Sequence, residues 1–512
     1  MKPFARCSSL IVLSLSTFAA AGCGAAPTPP KAVCGTPANA HVPTRSARSG
    51  VPAFEKPARY PIAARSGEPF DPGGRSVAIA DVDGDGHDDL VAVNPAERSS
   101  GVSVLLNRGN GTFRARRDYT TGRGPDAVAA ADLDCDGSPD LVTANGGSHS
   151  VSVLLSRGGG RFGQHREFQA SNTPWAVAIA DLDGDGDRDL AVANLNGKPA
   201  DKGGSLGSVS VLLNDGRGAF ADRVNYATDG GYPEDLVAID VDRDRHLDLA
   251  VANSEGDHVY VLRNRGDGRF EPGRRYVNGS GDANLASGDL DGDGTTDLAL
   301  VWTDMSDELE EEGVTLEPSY VDMFRGRGNG SFAPPHVAFE TGGYSELAAA
   351  PTVADLDGRS RPDIVFPRDD QDRLIVSALL NDGHGRFRDQ DRVDYLIGGG
   401  YAEPLVLGDL NGDGVEDLVS ANFESSRLLV YLGEPGRCIV QDVSGGTIHA
   451  VELTPAEARR ALARAGCRLG SITSRPDPYG TRKGRVFAQM PKFGAMLPAG
   501  SKVDLVVSSG TG

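Results

Sequence analysis

Residues 81–89 read Asp81-Val82-Asp83-Gly84-Asp85-Gly86-His87-Asp88-Asp89, and the same nine-residue pattern recurs six more times along the 512-residue chain. Side-chain oxygens stand at loop positions 1, 3, 5 and 9. The copies begin at Asp81, Asp132, Asp181, Asp240, Asp289, Asp355 and Asp409, spaced 51, 49, 59, 49, 66 and 54 residues apart. Five copies keep all four aspartates: Asp81, Asp83, Asp85 and Asp89; Asp132, Asp134, Asp136 and Asp140; Asp181, Asp183, Asp185 and Asp189; Asp240, Asp242, Asp244 and Asp248; Asp289, Asp291, Asp293 and Asp297. The seventh offers Asp409, Asn411, Asp413 and Asp417. The sixth keeps Asp355, Asp357 and Asp363 but has Arg359 at position 5, so it is expected to bind a metal weakly or not at all.

A short loop of carboxylates, completed by a backbone carbonyl and water, suits a hard cation that takes 6–8 oxygens in flexible geometry, which is the chemistry of calcium. Magnesium demands a stricter octahedron, and zinc prefers nitrogen and sulfur, which no loop supplies consistently. About six calcium ions are therefore expected. An EF-hand is excluded, because position 12 is Ala92, Thr143, Val192, Val251, Leu300, Phe366 or Ser420, none of which chelates bidentately. The flanks, such as residues 76–80 and 90–93, are short, apolar and rich in Val and Ile. They read as strands, so each loop is a metal-bridged turn between two of them. Asp and Gly also make ordinary turns, but seven copies in one phase favour metal.

Outward from each loop the sequence repeats further. A third strand follows (residues 102–107, 151–156 and 209–214), then a Gly-x-Gly turn with an aromatic at Phe113, Phe162 or Phe220. A second aromatic follows six residues later at Tyr119, Phe168 and Tyr226. Four short strands per repeat of ~50 residues is the pattern of a propeller blade. The last repeat lacks this aromatic pair, whereas Phe54 and Tyr60 stand ahead of the first loop without a repeat of their own. Residues near 54–60 should therefore supply the outer strand of the final blade and close a ring of seven, hiding the sheet edges. The fold expected is mainly β, a seven-bladed propeller of four-stranded blades over residues 51–436, plus a small α+β domain over residues 437–512.

The Asp-x-Asp-Gly-Asp-Gly-x-x-Asp-Leu loops resemble FG-GAP/VCBS repeats of the integrin-alpha-like propeller type, over roughly residues 51–436. That resemblance implies calcium in the loops. The fourth copy departs from it with Arg243 and Arg245 where glycines are usual, and the sixth departs further. In an up-and-down blade the metal loops and Gly-x-Gly turns share one face. The opposite face carries the large insertions, residues 195–207 in blade three and 304–318 in blade five, the latter with the acidic run Glu308-Leu309-Glu310-Glu311-Glu312. Long loops on a rigid scaffold are where binding concentrates, so a protein or glycan ligand is expected there.

The net charge is −21, and 26 aspartates at the four loop positions account for it: without them the chain would carry about +5. Crowded carboxylates repel one another unless an ion neutralises them. No basic patch offsets this acidity, and nucleic acid is not an expected partner. Residues 1–22 read as an export signal, with Lys2 and Arg6 ahead of an apolar stretch too short to span a bilayer comfortably. Ala20-Ala21-Gly22-Cys23 resembles a bacterial lipobox, which implies lipidation of Cys23, a surface anchor as the only membrane contact, and residues 23–50 as a Pro/Ala-rich tether. Ala19-Ala20-Ala21 is the competing secretory cleavage site. Cys438 and Cys467 fall in the C-terminal domain and are a candidate disulfide in an exported protein. Cys135 occupies a non-ligand slot and reads as inert, and Cys34 has no assigned partner.

Past residue 437 the repeat stops. Thr454-Pro455-Ala456-Glu457 is a capping box with proline at the first helical position, and Gly466 ends the helix. Strands follow at residues 484–489 and 502–508. The runs 486–494 and 500–508 resemble a PASTA domain, which implies binding of peptidoglycan or a spacer role. No nucleophile elbow, zinc-protease or phosphate-loop motif is present. The carboxylates are committed to metal, and His87 and His246 read as solvent-facing spacers. Arg265-Gly266-Asp267 spells an adhesion tripeptide, and Asn110 and Asn329 begin sequons, but each fills a Gly-x-Gly turn slot. A non-enzymatic surface binding module is expected, the alternative being a secreted polysaccharide-degrading lyase or hydrolase.

Overall fold

The computed structural model describes residues 51–54, 57–62, 76–94, 100–197, 206–255, 258–277, 283–303, 309–311, 314–316, 318–344, 350–370, 373–387, 392–398, 404–422, 427–434, 436–439, 453–476 and 482–510. The export signal, the tether, Cys23, Cys34 and much of both insertions lie outside them. Among the described residues are seven four-stranded antiparallel sheets, the blades of a propeller. Blade one is Val77–Ala80, Asp89–Asn94, Gly101–Leu105 and Arg117–Thr120, paired in that order. Its first strand is part-buried, its two middle strands are buried, and its fourth is largely exposed.

Ring closure follows the expectation from the unpaired aromatics. Ala58–Pro61 is the outer strand of blade seven, with Tyr60 opposite Leu428, beside Arg427–Tyr431, Asp417–Asn422 and Leu405–Gly408. Ala53 and Phe54 pair with Glu434 and Gly433. The first described residues of the chain and the end of the last repeat thus share hydrogen bonds, and no open edge is left at the join.

The apolar runs make sense only between blades. Successive side chains on a strand point to opposite faces. Leu90 and Ala92 therefore enter a core shared with blade seven, through Leu410, Val419 and Leu428. Val91 and Val93 enter the core shared with blade two, through Val128, Leu141 and Phe162. The same division is repeated around the ring, giving seven inter-blade cores. Full burial of one such Leu or Val stabilises by ~1.5–3 kcal/mol. The aromatics work the same way. The second aromatic of one blade packs edge-to-face on the first aromatic of the next: Tyr60 on Phe113, Tyr119 on Phe162, Phe168 on Phe220, Tyr226 on Phe270 and Tyr276 on Phe332, with centroids 5.2–5.4 Å apart. Tyr395 of blade six meets Phe54 at 4.7 Å, which carries the series across the closure.

Of the blade-five insertion, Leu309–Glu311 and Val314–Leu316 form a two-stranded hairpin, so the acidic run is partly strand rather than open loop. In the C-terminal domain the helix spans Pro455–Arg464, capped by Thr454 through a complete capping box, and Gly466 turns away at φ +73°. Arg468–Arg475, Lys502–Ser508 and Val486–Met490 form its three-stranded sheet. Cys438 and Cys467 are joined by a disulfide. Arg437–Ile439 pairs with Met496–Pro498, while Ile439 and Ala465 enter the same core as Phe54, Tyr395 and Tyr431. The C-terminal domain therefore packs on the closure of the ring rather than trailing from it. No helix among the described residues is long and apolar enough to cross a membrane.

Candidate metal centres

Each loop is organised by its first aspartate. Asp81 Oδ1 accepts the N–H groups of Gly84 (2.8 Å) and Asp85 (3.0 Å), and Oδ2 accepts that of Gly86 (2.8 Å). Asp181, Asp240, Asp289 and Asp409 hold their loops in the same way, as does Asp132. This fold-back requires a left-handed backbone at positions 4 and 6, met by Gly84 at φ +76° and Gly86 at +87°. With the loop closed, carboxylate oxygens converge. Ligand atoms lie within 4.8 Å of one another in Asp81, Asp83 and Asp85; in Asp132, Asp134 and Asp136; in Asp181, Asp183 and Asp189; in Asp240, Asp242 and Asp248; and in Asp289, Asp291 and Asp297. Positions 1 and 3 are in every one of these groups, and position 5 or 9 completes each. Asp89, Asp140, Asp185, Asp244 and Asp293 stand outside the tight groups. In the seventh loop Asp413 N–H donates to both Asp409 and Asn411, so its donors are folded alike.

Position 9 does something the sequence did not suggest. In all seven blades one oxygen of this aspartate accepts the N–H of loop position 2, at 2.8–3.0 Å. The other accepts an N–H just past the third strand (Asn107, Ser156, Asn214, Asn264, Gly326, Asn381 or Gly433) at 2.6–2.8 Å. Asp89, Asp140, Asp189, Asp248, Asp297, Asp363 and Asp417 are thus buried clamps joining loop, second strand and third strand. Each carboxylate oxygen keeps a second lone pair, so clamping does not exclude ligation. Burial, partly offset by these N–H bonds, raises Asp89, Asp140, Asp189 and Asp417 to about 7 and Asp248 and Asp297 to about 6.

The loops also link neighbouring blades. The carbonyl of Leu410 accepts Asn107 Nδ2 (2.8 Å) and Gly111 N–H (3.0 Å) from blade one. Leu133 and Leu182 do the same for Asn214 and Gly218, and for Asn264 and Gly268. The residues at position 7 lie over their own turn. A Cβ on Gly109 would meet the His87 ring at 2.4 Å, and one on Gly266 would meet His246 at 2.6 Å. Both histidines thus lie against the Gly-x-Gly turn of their own blade, His87 exposed to solvent as expected and His246 half-buried. Gly266 sits at φ +83° inside the turn closed by Arg265 N–H to Arg269 O, so the Arg-Gly-Asp stretch is part of that turn. Cys135 is disulfide-bonded, which corrects its reading as inert.

The donor set fits a hard divalent cation. Asp83 Oδ1 and Asp134 Oδ1 are buried with no hydrogen-bond partner. Burial first, and then the neighbouring Asp85 and Asp136 respectively, push these two acids above the usual carboxylate range. An anionic oxygen left without a donor in this crowded setting is what a cation would relieve.

FG-GAP-like repeat models match residues 81–143, 136–192 and 240–300, an FG-GAP repeat model matches 173–212, and a PASTA domain model matches 450–509. The chain is an FG-GAP-repeat propeller with a C-terminal PASTA domain. No curated protein matches it. Among solved structures, the propeller is similar to BBS1N in complex with ARL6DN, at 12% identity and TM-score 0.47, covering 76% of this chain and 98% of that one. It is also similar to the V. cholerae biofilm matrix protein Bap1, at 14% identity and TM-score 0.37, covering 73% and 90%. At these scores neither bears on function.

Proposed function

We propose that this propeller is a calcium-stabilised binding module displayed outside the cell, exported by its first 22 residues, anchored through Cys23 or released, and positioned by its PASTA domain at the wall. The ligand is a protein or glycan taken on the face opposite the metal loops. The observation that supports this best is the repetition of the loops. Position-9 acids in all seven blades make the same two structural hydrogen bonds, and position-1 acids organise their loops, so these carboxylates serve the ring rather than a single catalytic centre. The repeat is broken instead at the blade-three and blade-five insertions on the other face.

Peptidoglycan is the expected ligand class for the PASTA domain. Its packing against blades six and seven would hold that contact at a fixed orientation to the ring. The test is capture of surface proteins and glycans by the full chain, compared with a variant in which residues 198–205 and 304–317 are replaced by short turns. Loss of capture with an intact fold is expected. Turnover of a polysaccharide that dies with one insertion-loop substitution would replace the binding reading with the lyase or hydrolase reading.

A further inference from the structure

We infer that Cys135, in loop two, is bonded to Cys34, which staples the tether to the metal-loop face of the ring. The inference rests on the export and anchoring proposed above.

The chain has six cysteines, at positions 7, 23, 34, 135, 438 and 467. Cys135 is disulfide-bonded, and its partner is neither Cys438 nor Cys467, because those two are bonded to each other. Cys7, Cys23 and Cys34 remain, all ahead of the first described residue, Val51. Cys7 precedes the apolar stretch of the export signal and is removed with it. Cys23 carries the lipid on its sulfur when it is the anchor. Cys34 is the thiol that is left.

Loop two is built to offer this sulfur. Position 4 needs a left-handed backbone, and five of the seven loops meet it with glycine: Gly84, Gly184, Gly292, Gly358 and Gly412, at φ +71° to +78°. Cys135 adopts the same conformation at φ +61°, which a residue with a side chain takes only at a cost. The side chain itself has space. A Cβ on Gly84 or Gly412 would meet nothing within 4 Å, and one on Gly184 or Gly292 only a carbonyl oxygen at 3.8 or 3.7 Å. A side chain at position 4 therefore stands clear of the ring, open to a segment that crosses this face. Position 4 is not one of the four ligand positions, so the bond takes no oxygen from the loop. The Cys135 sulfur lies 3.7 Å from Asp187 Oδ1 of loop three, which puts the staple at the seam between blades two and three.

Outside the cytoplasm the two thiols pass two protons and two electrons to a protein disulfide, which is reduced to a dithiol as the new S–S bond forms. The consequence is reach. Fully extended, residues 23–34 span about 40 Å, whereas residues 23–51 span about 100 Å. The staple holds the metal face close to the anchor and leaves the insertion-bearing face to meet the ligand.

The test is tandem mass spectrometry of the exported full chain, blocked with iodoacetamide and digested with trypsin without reduction. The peptide 32–45 should be found bonded to the peptide 124–157, and reduction should separate them. Cys135→Gly, with the residue that five other loops carry there, should fold as the wild type does and leave Cys34 open to the label. Iodoacetamide on Cys135 of the wild type, or Cys135 bonded to Cys7 or Cys23, would overturn the staple. A Cys34–Cys135 bond in a chain with no lipid on Cys23 would uphold the staple and overturn the anchor alone.

Discussion

The two ends of each blade follow opposite rules. At the loop end all seven blades make the same pair of hydrogen bonds through one buried aspartate. Away from the loops the polar groups agree only in part: Ser103, Ser210 and Ser377 each donate to the fourth-strand residue opposite, but that residue and its surroundings change from blade to blade. Blade one pairs Ser103 with Asp118, and blade three joins Asn194, Ser210 and Asn225. Blade five sets Trp302 Nε1 on Asp322, and blade six holds Asp394 between Arg368, Arg392 and Ser377. Repetition marks what the ring needs in order to close. Variation marks where blades can diverge without opening it.

The largest single loss is expected away from the loops. Asp394→Ala strands two arginines in a buried site and should cost ~3–5 kcal/mol in urea unfolding. At the loop end, Asp189→Ala and Asp417→Ala each leave two buried N–H groups without an acceptor. Each should cost ~2–5 kcal/mol, and the two should match closely, because the clamps are geometrically alike. Unequal losses would break the rule of equivalence between blades.

The two ends should also respond to pH with opposite sign. Clamp acids raised from 3.8 to about 6 or 7 hold protons in the folded state that the unfolded chain has released. Their contribution is fully present below pH 3.8 and is lost as pH rises through 6 to 7. Burial would raise Asp394 too, but Arg392, Arg368 and the Ser377 hydroxyl outweigh it and lower its pKa below 3.8. Its contribution is present above that value and is lost on further acidification. In chelator, melting temperature should therefore fall from pH 5 to pH 8 in the wild type. Asp394→Asn should flatten the acid limb only. The smallest effect is His87→Ala, which removes an exposed side chain lying against its turn and should change stability by less than ~0.5 kcal/mol.

The ring was largely legible in the sequence. Loop phase gave the blade number, and the unmatched Phe54 and Tyr60 gave the closure, because both are periodic signals that survive in one chain. The clamp at position 9 was not legible. An aspartate advertises two oxygens, but one of the N–H groups that satisfy them comes from just past the third strand, 16 residues further on at Ser156 and 25 at Asn214. The packing of the PASTA domain on the closure was equally hidden. Arg437–Ile439 is too short to show a period, and Arg468–Arg475 is mostly exposed and lacks alternation.

The most direct test of structural calcium is the melting temperature of the full chain at pH 7.5, in millimolar calcium and in chelator. Each occupied loop should stabilise the ring by about 1.4 kcal/mol at ten times its dissociation constant. A clear, calcium-reversible fall in chelator is the result predicted. An unchanged melting temperature would contradict it.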